Sequence, residues 1–346
     1  MSSQMNTCVR GLCKDQDYLV TGKIHDIEYG ICFDGHGSNE FIDKIRGISQ
    51  KEWDEIMMTE NPWNYFRDNY LSRFRTRTSS GSTLSMFKIQ GNKIDTCTIG
   101  DSVLVIFRNG ELEYMSEPHK LETNASERIR MARPDSNYVG KTNDSFPHLR
   151  SSTDVYMKDS PYYIFSSGTR LAVTQAIGHN GITQYDPEFH TLCFEPEDEI
   201  KLVVGSDGLW DMIVQEALPP PEWPPLTETE IQDLENDKQD LLKMNAEELV
   251  EKSHQRWAKK EWILHGNSRS YARVSRTCFN GYDDISVITW EYNKKEKVAE
   301  KVEEERQAEK VEEKVEDKVE EKVEEKAEDK VEDKVEEERQ VEKVEK

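Results

Sequence analysis

Residues 28–37 read EYGICFDGHG, and this stretch decides how the rest of the chain is interpreted. Its first half is an apolar run typical of a buried β-strand, so we predict a strand that ends at Asp34. Gly35 has no side chain, which allows its backbone oxygen to approach a ligand closely. An Asp-Gly pair alone is a common turn, but here it is followed by the imidazole of His36. The stretch therefore predicts a binding or catalytic site at the end of a strand.

The same arrangement recurs further along the chain. Residues 199–208 read EIKLVVGSDG and again end an apolar strand in Asp-Gly, at Asp207. Asp101 follows another predicted strand, and Asp283 precedes the last one. Several carboxylates at the ends of buried strands are costly unless a cation lies between them. Because these donors are all oxygens, we predict a site for Mg²⁺ or Mn²⁺ rather than for zinc or copper.

The charge of the 346-residue chain is distributed in two regions. The formal net charge is −23, and residues 294–346, with 15 Lys and Arg against 23 Asp and Glu, account for −8 of it. This segment is a low-complexity Lys/Glu/Val repeat, which favours a largely disordered tail after a single folded domain over residues 1–293. Net negative charge argues against partners such as nucleic acid or an anionic membrane.

Six cysteines are scattered along the chain, with neither a C-x-x-C pair nor zinc-type spacing. Reduced thiols in a reducing compartment are the simplest interpretation. The N-terminus lacks an apolar signal core, and no stretch approaches 18 uninterrupted apolar residues. We therefore expect a soluble cytoplasmic protein, with the nucleus also open to it, and a monomer.

Hydrophobic periodicity and turn residues predict the order of the elements. We expect a strand pair at 17–22 and 28–34, helices within 41–58, an antiparallel meander of three strands over 79–107, a short helix at 170–178, a strand at 199–206, a helix at 245–264 and a last strand at 284–292. The Pro-rich and acidic residues 217–243 predict an exposed insertion. The basic residues 70–77 predict a solvated helix face.

Taken together and in order, these motifs are far more specific than any one of them. The set comprises residues 33–37 (FDGHG), 80–83 (SGST), 99–102 (IGDS), 119–120 (HK), 206–211 (SDGLWD) and 283–286 (DDIS). The chain thereby resembles the protein phosphatase 2C family of metal-dependent protein serine/threonine phosphatases. The resemblance implies an α+β fold, a four-layer α/β/β/α sandwich of two antiparallel sheets flanked by helices.

The resemblance also implies a metal site and its ligands. It implies that Asp34 bridges two Mg²⁺ or Mn²⁺ ions, that the Gly35 carbonyl ligates one of them, that Asp207 and Asp283 complete the other, and that Asp101 and Asp211 form a weaker third site. A water activated by the two ions would then attack the phosphorus of a phosphoserine or phosphothreonine in a phosphoprotein substrate, with no covalent intermediate. His36 matches the position of the general acid.

The chain departs from the family pattern at the expected phosphate-binding arginine. Gln16 takes the position of an acidic residue of the first strand, and Leu12 stands where the arginine would be. Lys14 is the nearest candidate for phosphate binding, although it lacks the two-pronged geometry of an arginine. Four further family positions hold other residues here, at Val103, Pro118, His179 and Asp284.

Two other functions remain open from the sequence. A pseudophosphatase, which keeps the fold as a binding or regulatory module, is favoured by the missing arginine and opposed by Asp34, Asp207 and Asp283. A two-metal nuclease is opposed by the acidic charge.

Overall fold

The computed structural model describes residues 3–12, 14–121, 124–133, 135–141, 163–213, 228–259, 261–263, 273–275 and 283–293. Residues 3–292 form one compact unit, and a second unit comprises residues 1–2 and 293–346. The tail at 294–346 and the proline-rich residues 217–225 lie outside the described residues, so the predictions made for them stay predictions.

A seven-stranded antiparallel sheet contains the strand pair predicted near the N-terminus. Its strands are β2 (Asp17–Ile24), β3 (Ile27–Gly37), β4 (Ser80–Ser82), β5 (Leu84–Gln90), β6 (Lys93–Ile99), β12 (Ile177–Gly178) and β13 (Glu188–Cys193), in the order β12-β4-β3-β5-β6-β13, with β2 also paired to β3.

A five-stranded antiparallel sheet has the order β1-β17-β14-β7-β8. These strands are β1 (Ser3–Arg10), β7 (Leu104–Arg108), β8 (Glu111–Met115), β14 (Ile200–Gly205) and β17 (Ile285–Tyr292). Two small sheets complete the described strands, one of β9 (Tyr138–Lys141), β10 (Tyr163–Phe165) and β11 (Arg170–Leu171), the other of β15 (Glu261–Ile263) and β16 (Arg273–Ser275).

Seven α-helices surround the sheets in the described part of the chain. They are α1 (Glu40–Arg46), α2 (Gln50–Met57), α3 (Pro62–Asn69), α4 (Ala125–Met131), α5 (Asp207–Trp210), α6 (Glu228–Lys243) and α7 (Ala246–Ala258). Helix α2 begins at a capping box, in which Ser49 and Glu52 satisfy each other's backbone amides, and α7 begins at the same arrangement of Asn245 and Glu248.

The alternation of side chains along the central strands builds four layers. In β3, Ile31 and Phe33 pack with the apolar faces of α1, α2 and α3, while Cys32 faces the second sheet. In β14, Val203 packs with α6 and α7, while Leu202 and Val204 face the first sheet. Both faces of these strands are therefore buried, which explains their continuous apolar sequences. The predicted α/β/β/α sandwich is confirmed.

Several predicted elements are confirmed, and others are wrong. The hairpin of β2 and β3, helices α1 and α2, strand β14, helix α7 and the last strand are present close to the predicted bounds. The predicted meander is wrong, because β7 leaves the sheet of β5 and β6 and pairs with β14 in the other one.

The helix predicted at 170–178 is wrong for a polar reason. Thr174 and Gln175 are fully buried, and the Gln175 amide donates to Glu127 Oε1 at 2.8 Å, while the backbone N–H of Thr174 donates to His119 O at 2.8 Å. These long-range bonds fix a bent, non-helical segment between β11 and β12. The apolar residues around Thr174 and Gln175 are spaced as in an amphipathic helix, and this spacing led to the wrong prediction.

The expectation of an exposed loop over residues 217–243 is wrong for its second half. Residues 228–243 form α6, and Asp237 and Leu241 on this helix are fully buried. Arg256 of α7 donates to Asp237 Oδ1 at 2.8 Å and Oδ2 at 3.3 Å, which attaches α6 to the helix layer.

The expectations of reduced cysteines and of a chain without a membrane-spanning helix can be compared with the structure only over the described residues. Cys8, Cys32, Cys97 and Cys193 are free thiols. Among the helices of the described ranges, none is both long and apolar enough to cross a bilayer.

Candidate active site

The strand pairing gathers the predicted carboxylates at one end of the sandwich. Asp17, which begins β2, lies directly opposite Asp34 in β3. Strands β14 and β17 are antiparallel, so Asp207, just after the first, lies near Asp283, just before the second. Asp101 follows β6 at the same end. Each of these carboxylates is close enough to shift the pKa of at least one of the others.

Asp34 is buried and Asp207 is half-buried, and the charge of Lys14 offsets only part of the rise in the pKa of Asp207. Burial raises the pKa of Asp34 well above its usual value, and the negative charges of Asp207 and Asp17 raise it further. Burial also raises the pKa of Asp207, followed by the charges of Asp283 and Asp101. Neither carboxylate forms an ion pair with any residue in the described ranges. This part of the site is short of positive charge.

Asp283 and Asp101 differ, because each is paired with a lysine. Lys14 Nζ lies 2.8 Å and 3.0 Å from the two carboxylate oxygens of Asp283, and Lys120 Nζ lies 2.7 Å from Asp101 Oδ2. Burial lowers the pKa of each ammonium group, but the neighbouring carboxylates outweigh it and the net pKa is raised. Both lysines are therefore charged at neutral pH.

Asp17 is a site carboxylate that the sequence analysis did not select. It is 5% exposed, and burial raises its pKa to about 7, while hydrogen bonds from Ser206 and Ser286 act in the opposite direction. A signal for it existed in the sequence, because the first residue of β2 must lie near the last residues of its hairpin partner.

Asp284 has a structural role that explains where Leu12 and Lys14 lie. Its carboxylate accepts from the backbone N–H of Leu12 at 2.7 Å, of Lys14 at 3.3 Å and of Gln16 at 2.8 Å. The Leu12 side chain packs against the apolar cluster beneath α7. The position at which the resemblance would place an arginine thus faces apolar side chains, and Lys14 brings a cation to the site.

His36 stacks on a second histidine that the sequence analysis noted only as a departure. The rings of His36 and His179 are 4.7 Å apart with 30° between their planes, and Ser79 Oγ lies 2.8 Å from His179 Nδ1. The Nε2 atoms of both rings are buried without a hydrogen-bond partner among the described residues. Burial lowers the pKa of His36 to about 4 and that of His179 to about 3, so both rings are neutral at neutral pH.

Gly35 and Asp211 complete the predicted set. A Cβ atom on Gly35 would lie 2.4 Å from Ile42 Cγ1 and 2.6 Å from Gln16 O, so no other residue fits there. Asp211 ends α5, where its N–H donates to Asp207 O at 2.8 Å, and its negative charge acts on Lys120 and Asp207.

The donor set fits a divalent cation in chemistry and charge. All of the side-chain donors are carboxylates, and two of them, Asp34 and Asp207, form no ion pair with a described residue. A hard divalent ion would compensate such charge. Among the described side chains, however, no group of three or more His, Cys, Asp or Glu is arranged as a complete set of ligands. Lys14 and Lys120 engage two of the carboxylates instead.

Comparisons with known proteins agree with this architecture. Residues 25–219, more than half of the chain, match the family described as Protein phosphatase 2C. "Probable protein phosphatase 2C 52" of Oryza sativa subsp. japonica is 30% identical over 149 residues, which cover 42% of this chain and 26% of that protein. "Probable protein phosphatase 2C 76" of Arabidopsis thaliana is 28% identical over 144 residues, 41% of this chain and 29% of that protein. The matches thus span little more than a quarter of these two relatives.

The fold comparison extends over more of the chain. A structure of a C. elegans sex determining protein superposes with a TM-score of 0.50 at 14% identity, and covers 84% of this chain and 64% of that one. Two antiparallel sheets between helix layers, with carboxylates at the strand ends, define a phosphatase-like sandwich. The family match makes the assignment specific: the chain belongs to the protein phosphatase 2C family.

Proposed function

We propose that the protein is a Mg²⁺- or Mn²⁺-dependent phosphatase that removes phosphate from phosphoserine and phosphothreonine in proteins. The observation that carries this proposal is the pair Asp34 and Asp207: burial and neighbouring carboxylates raise the pKa of each well above its usual value, and neither forms an ion pair with a described residue. Divalent cations bound there would activate a water and neutralise charge on the phosphate.

The chain's own residues have distinct roles in this proposal. Asp34, Asp207 and Asp283 would hold two ions, with the Gly35 carbonyl as a further donor. Asp34 is fixed by its backbone, since its carbonyl accepts from Thr83 N at 2.9 Å and from Ser82 Oγ at 3.0 Å. Lys14 would bind the phosphate once an ion takes over the charge of Asp283.

His36 would donate a proton to the leaving oxygen. At neutral pH its imidazole is neutral in this structure, because burial lowers its pKa to about 4. The dianionic phosphate of a bound substrate would raise that pKa, so that the imidazole would carry the proton that it donates. His179, stacked on the ring, fixes its orientation.

A pseudophosphatase is the second candidate, and one observation favours it. Lys14 and Lys120 neutralise Asp283 and Asp101, and the described side chains include no complete set of metal ligands. On this alternative the lysines replace the ions permanently, and the protein binds phosphoproteins without hydrolysing them.

The two candidates differ in an assay with two substrates, p-nitrophenyl phosphate and a phosphothreonine peptide, titrated with MnCl₂ and MgCl₂. We expect metal-dependent release of phosphate from both, lost in Asp34→Asn. Equal background rates for the wild type and Asp34→Asn at every metal concentration would establish the pseudophosphatase.

His36→Gln tests the proposed proton donor separately. p-Nitrophenolate leaves without a proton, whereas the alkoxide of threonine does not. We therefore expect a loss of kcat of about a hundredfold or more on the phosphothreonine peptide, with little change on p-nitrophenyl phosphate. Equal losses on both substrates would mean that His36 supports the site in another way.

A further inference from the structure

The segment between α3 and β4 carries positive charge that the described residues leave unpaired. Arg73, Arg75 and Arg77 are all exposed, and none forms an ion pair with a residue in the described ranges. The Arg75 guanidinium donates only to backbone, to Ser72 O at 3.2 Å and Phe74 O at 3.0 Å. The predicted helix face is wrong, because only a 3-10 turn at Leu71–Arg73 forms. In a chain of net charge −23, three such arginines in five residues are exceptional.

A cavity of about 340 Å³ lies directly beside these arginines. Phe41, Leu71, Phe74 and Tyr185 form its apolar walls. Arg67 and Asp68 also line it but neutralise each other at 2.7 Å, so Arg75 supplies the unpaired positive charge of the lining. The volume is at the lower end of the range for ligand pockets, which is of the order of 300–1,000 Å³. We call this cavity, together with Arg73, Arg75 and Arg77, the arginine pocket.

The arginine pocket is held in shape before anything binds. The side-chain amide of Asn180 joins its two walls, since Thr76 N donates to Asn180 Oδ1 and Asn180 Nδ2 donates to Thr76 O, both at 3.1 Å. Phe41 and Phe74 meet edge to face at 5.9 Å. The Glu40 carboxylate accepts from the backbone N–H of Arg77 at 2.9 Å and so fixes that end of the segment. A ligand would therefore lose little binding free energy in ordering the pocket.

Both walls of the pocket continue toward the end of β3, which carries His36. On one side, Thr78 Oγ1 lies 2.6 Å from Ser38 Oγ, two residues beyond His36. On the other side, His179 precedes Asn180 and stacks on the His36 ring. An extended peptide advances about 3.3–3.6 Å per residue, so a few residues connect the candidate active site to the arginine pocket.

We infer that the arginine pocket binds the acidic flank of a phosphorylated peptide, with one apolar side chain in the cavity and glutamates or aspartates on the three arginines. This inference rests on the proposed function, since it places the phosphorylated residue at the candidate active site. Guanidinium groups bind carboxylates through paired hydrogen bonds. A positive patch attracts acidic sequences and repels basic ones, and the acidic remainder of the protein repels acidic sequences elsewhere, so an acidic flank is directed to the patch.

The test compares phosphothreonine peptides of equal length. One set carries three glutamates and a phenylalanine on either the N-terminal or the C-terminal side of the phosphothreonine, and the matched set carries glutamines instead of glutamates. We expect the wild type to prefer one glutamate peptide about tenfold in kcat/KM, through KM, because each exposed charge pair contributes a few tenths of a kcal/mol to about 1 kcal/mol. The preference should shrink at high salt.

Three variants locate the effect. Arg73→Gln/Arg75→Gln/Arg77→Gln should lose the preference while p-nitrophenyl phosphate turnover stays unchanged. Lys23→Gln/Lys51→Gln/Lys93→Gln removes the same charge from exposed lysines that are already paired with carboxylates, and it should keep the preference. Arg73→Glu/Arg75→Glu/Arg77→Glu should reverse it toward peptides that carry lysine in the place of glutamate.

Fluorescence anisotropy of the labelled peptides tests the arginine pocket even if the proposed catalysis fails. An inactive wild type that still binds the glutamate peptide about tenfold more tightly than the glutamine peptide, through the three arginines, would support the pocket and reject the phosphatase. An active wild type that hydrolyses or binds both peptides equally, or a glutamine triple variant that keeps the preference, would overturn the inference. So would binding to phosphatidylserine vesicles without any discrimination among the peptides.

Discussion

Two pairs of carboxylates lie at the same end of the sandwich and have opposite environments. Asp101 and Asp283 each contact a lysine ammonium, at 2.7 Å and 2.8 Å, whereas Asp34 and Asp207 have no such contact with a described residue and have raised pKa values. The chain thus pairs Asp101 and Asp283 with its own lysines, and in the proposed function Asp34 and Asp207 are the carboxylates left for an external cation. Each prediction below changes one side of this contrast.

The largest effect is expected at the uncompensated pair. Asp207→Asn should reduce turnover by at least about a hundredfold, because a carboxamide removes the charge that holds the ion. It should also remove the rise in melting temperature that MnCl₂ causes in the wild type. Calorimetry and phosphate release measure the two effects.

Asp95→Asn is the matched control for this change, since Asp95 lies on β6 and is half exposed beside Lys93. It should leave both properties unchanged. A metal-induced stabilisation that survives in Asp207→Asn would remove this residue from the proposed ligands.

Asp17→Asn should show how much the buried Asp17 carboxylate destabilises the fold when no cation is bound. The folded-state pKa of about 7 lies above the unfolded value of about 3.9, so this group's contribution to stability is lost as the pH rises from about 4 through 7. In EDTA, the variant should therefore gain up to a few kcal/mol over the wild type at pH 8 and almost nothing at pH 4.

Urea denaturation of both proteins across this pH range measures the difference. The buried histidines titrate in the same range with the opposite sign, because burial lowers the pKa of His36 and His179, but they are common to both proteins and cancel. A stability difference that does not depend on pH would mean that Asp17 keeps an ordinary pKa.

Lys120→Met removes the internal cation from Asp101. We expect the wild type to bind two Mn²⁺ ions, and the variant to bind a third, weakly, at Asp101 and Asp211. Equilibrium dialysis with metal analysis gives the stoichiometry. Three ions in the wild type would show that Lys120 yields to a metal, and two in the variant would show that these carboxylates make no third site.

The smallest effect is expected for Lys14→Met. Loss of an ammonium near the phosphate should raise KM for the phosphothreonine peptide a few-fold, while Mn²⁺ affinity stays the same or rises because Asp283 is released. Lys14→Arg should keep or improve KM. A higher kcat with unchanged KM in Lys14→Met would show that the lysine only competes with the ion.

Much of the fold could be predicted because its central strands are buried on both faces. Continuous apolar sequences in β3, β14 and β17 mark them, and the carboxylates Asp34, Asp207 and Asp283 lie at or next to their ends. Strand β1 was not predicted, because its residues are only partly buried and its sequence is mixed.

The rest of the site depends on contacts between residues that are distant in the chain. The positions of Lys14, Lys120 and Asp17 in the sequence do not indicate which carboxylate each side chain contacts. The buried Thr174 and Gln175 likewise bond to His119 and Glu127, so local apolar spacing gave the wrong element there.

The chain passes from one sheet to the other between β6 and β7, and this connection affects how precisely the carboxylates are positioned. Asp101 lies on this short connection, so it is attached to both sheets at once, whereas Asp34 belongs to one sheet and Asp207 follows a strand of the other. A sub-ångström slip between the sheets would alter the separation of these carboxylates. The packing of the apolar side chains between the two sheets therefore sets the separation of these carboxylates.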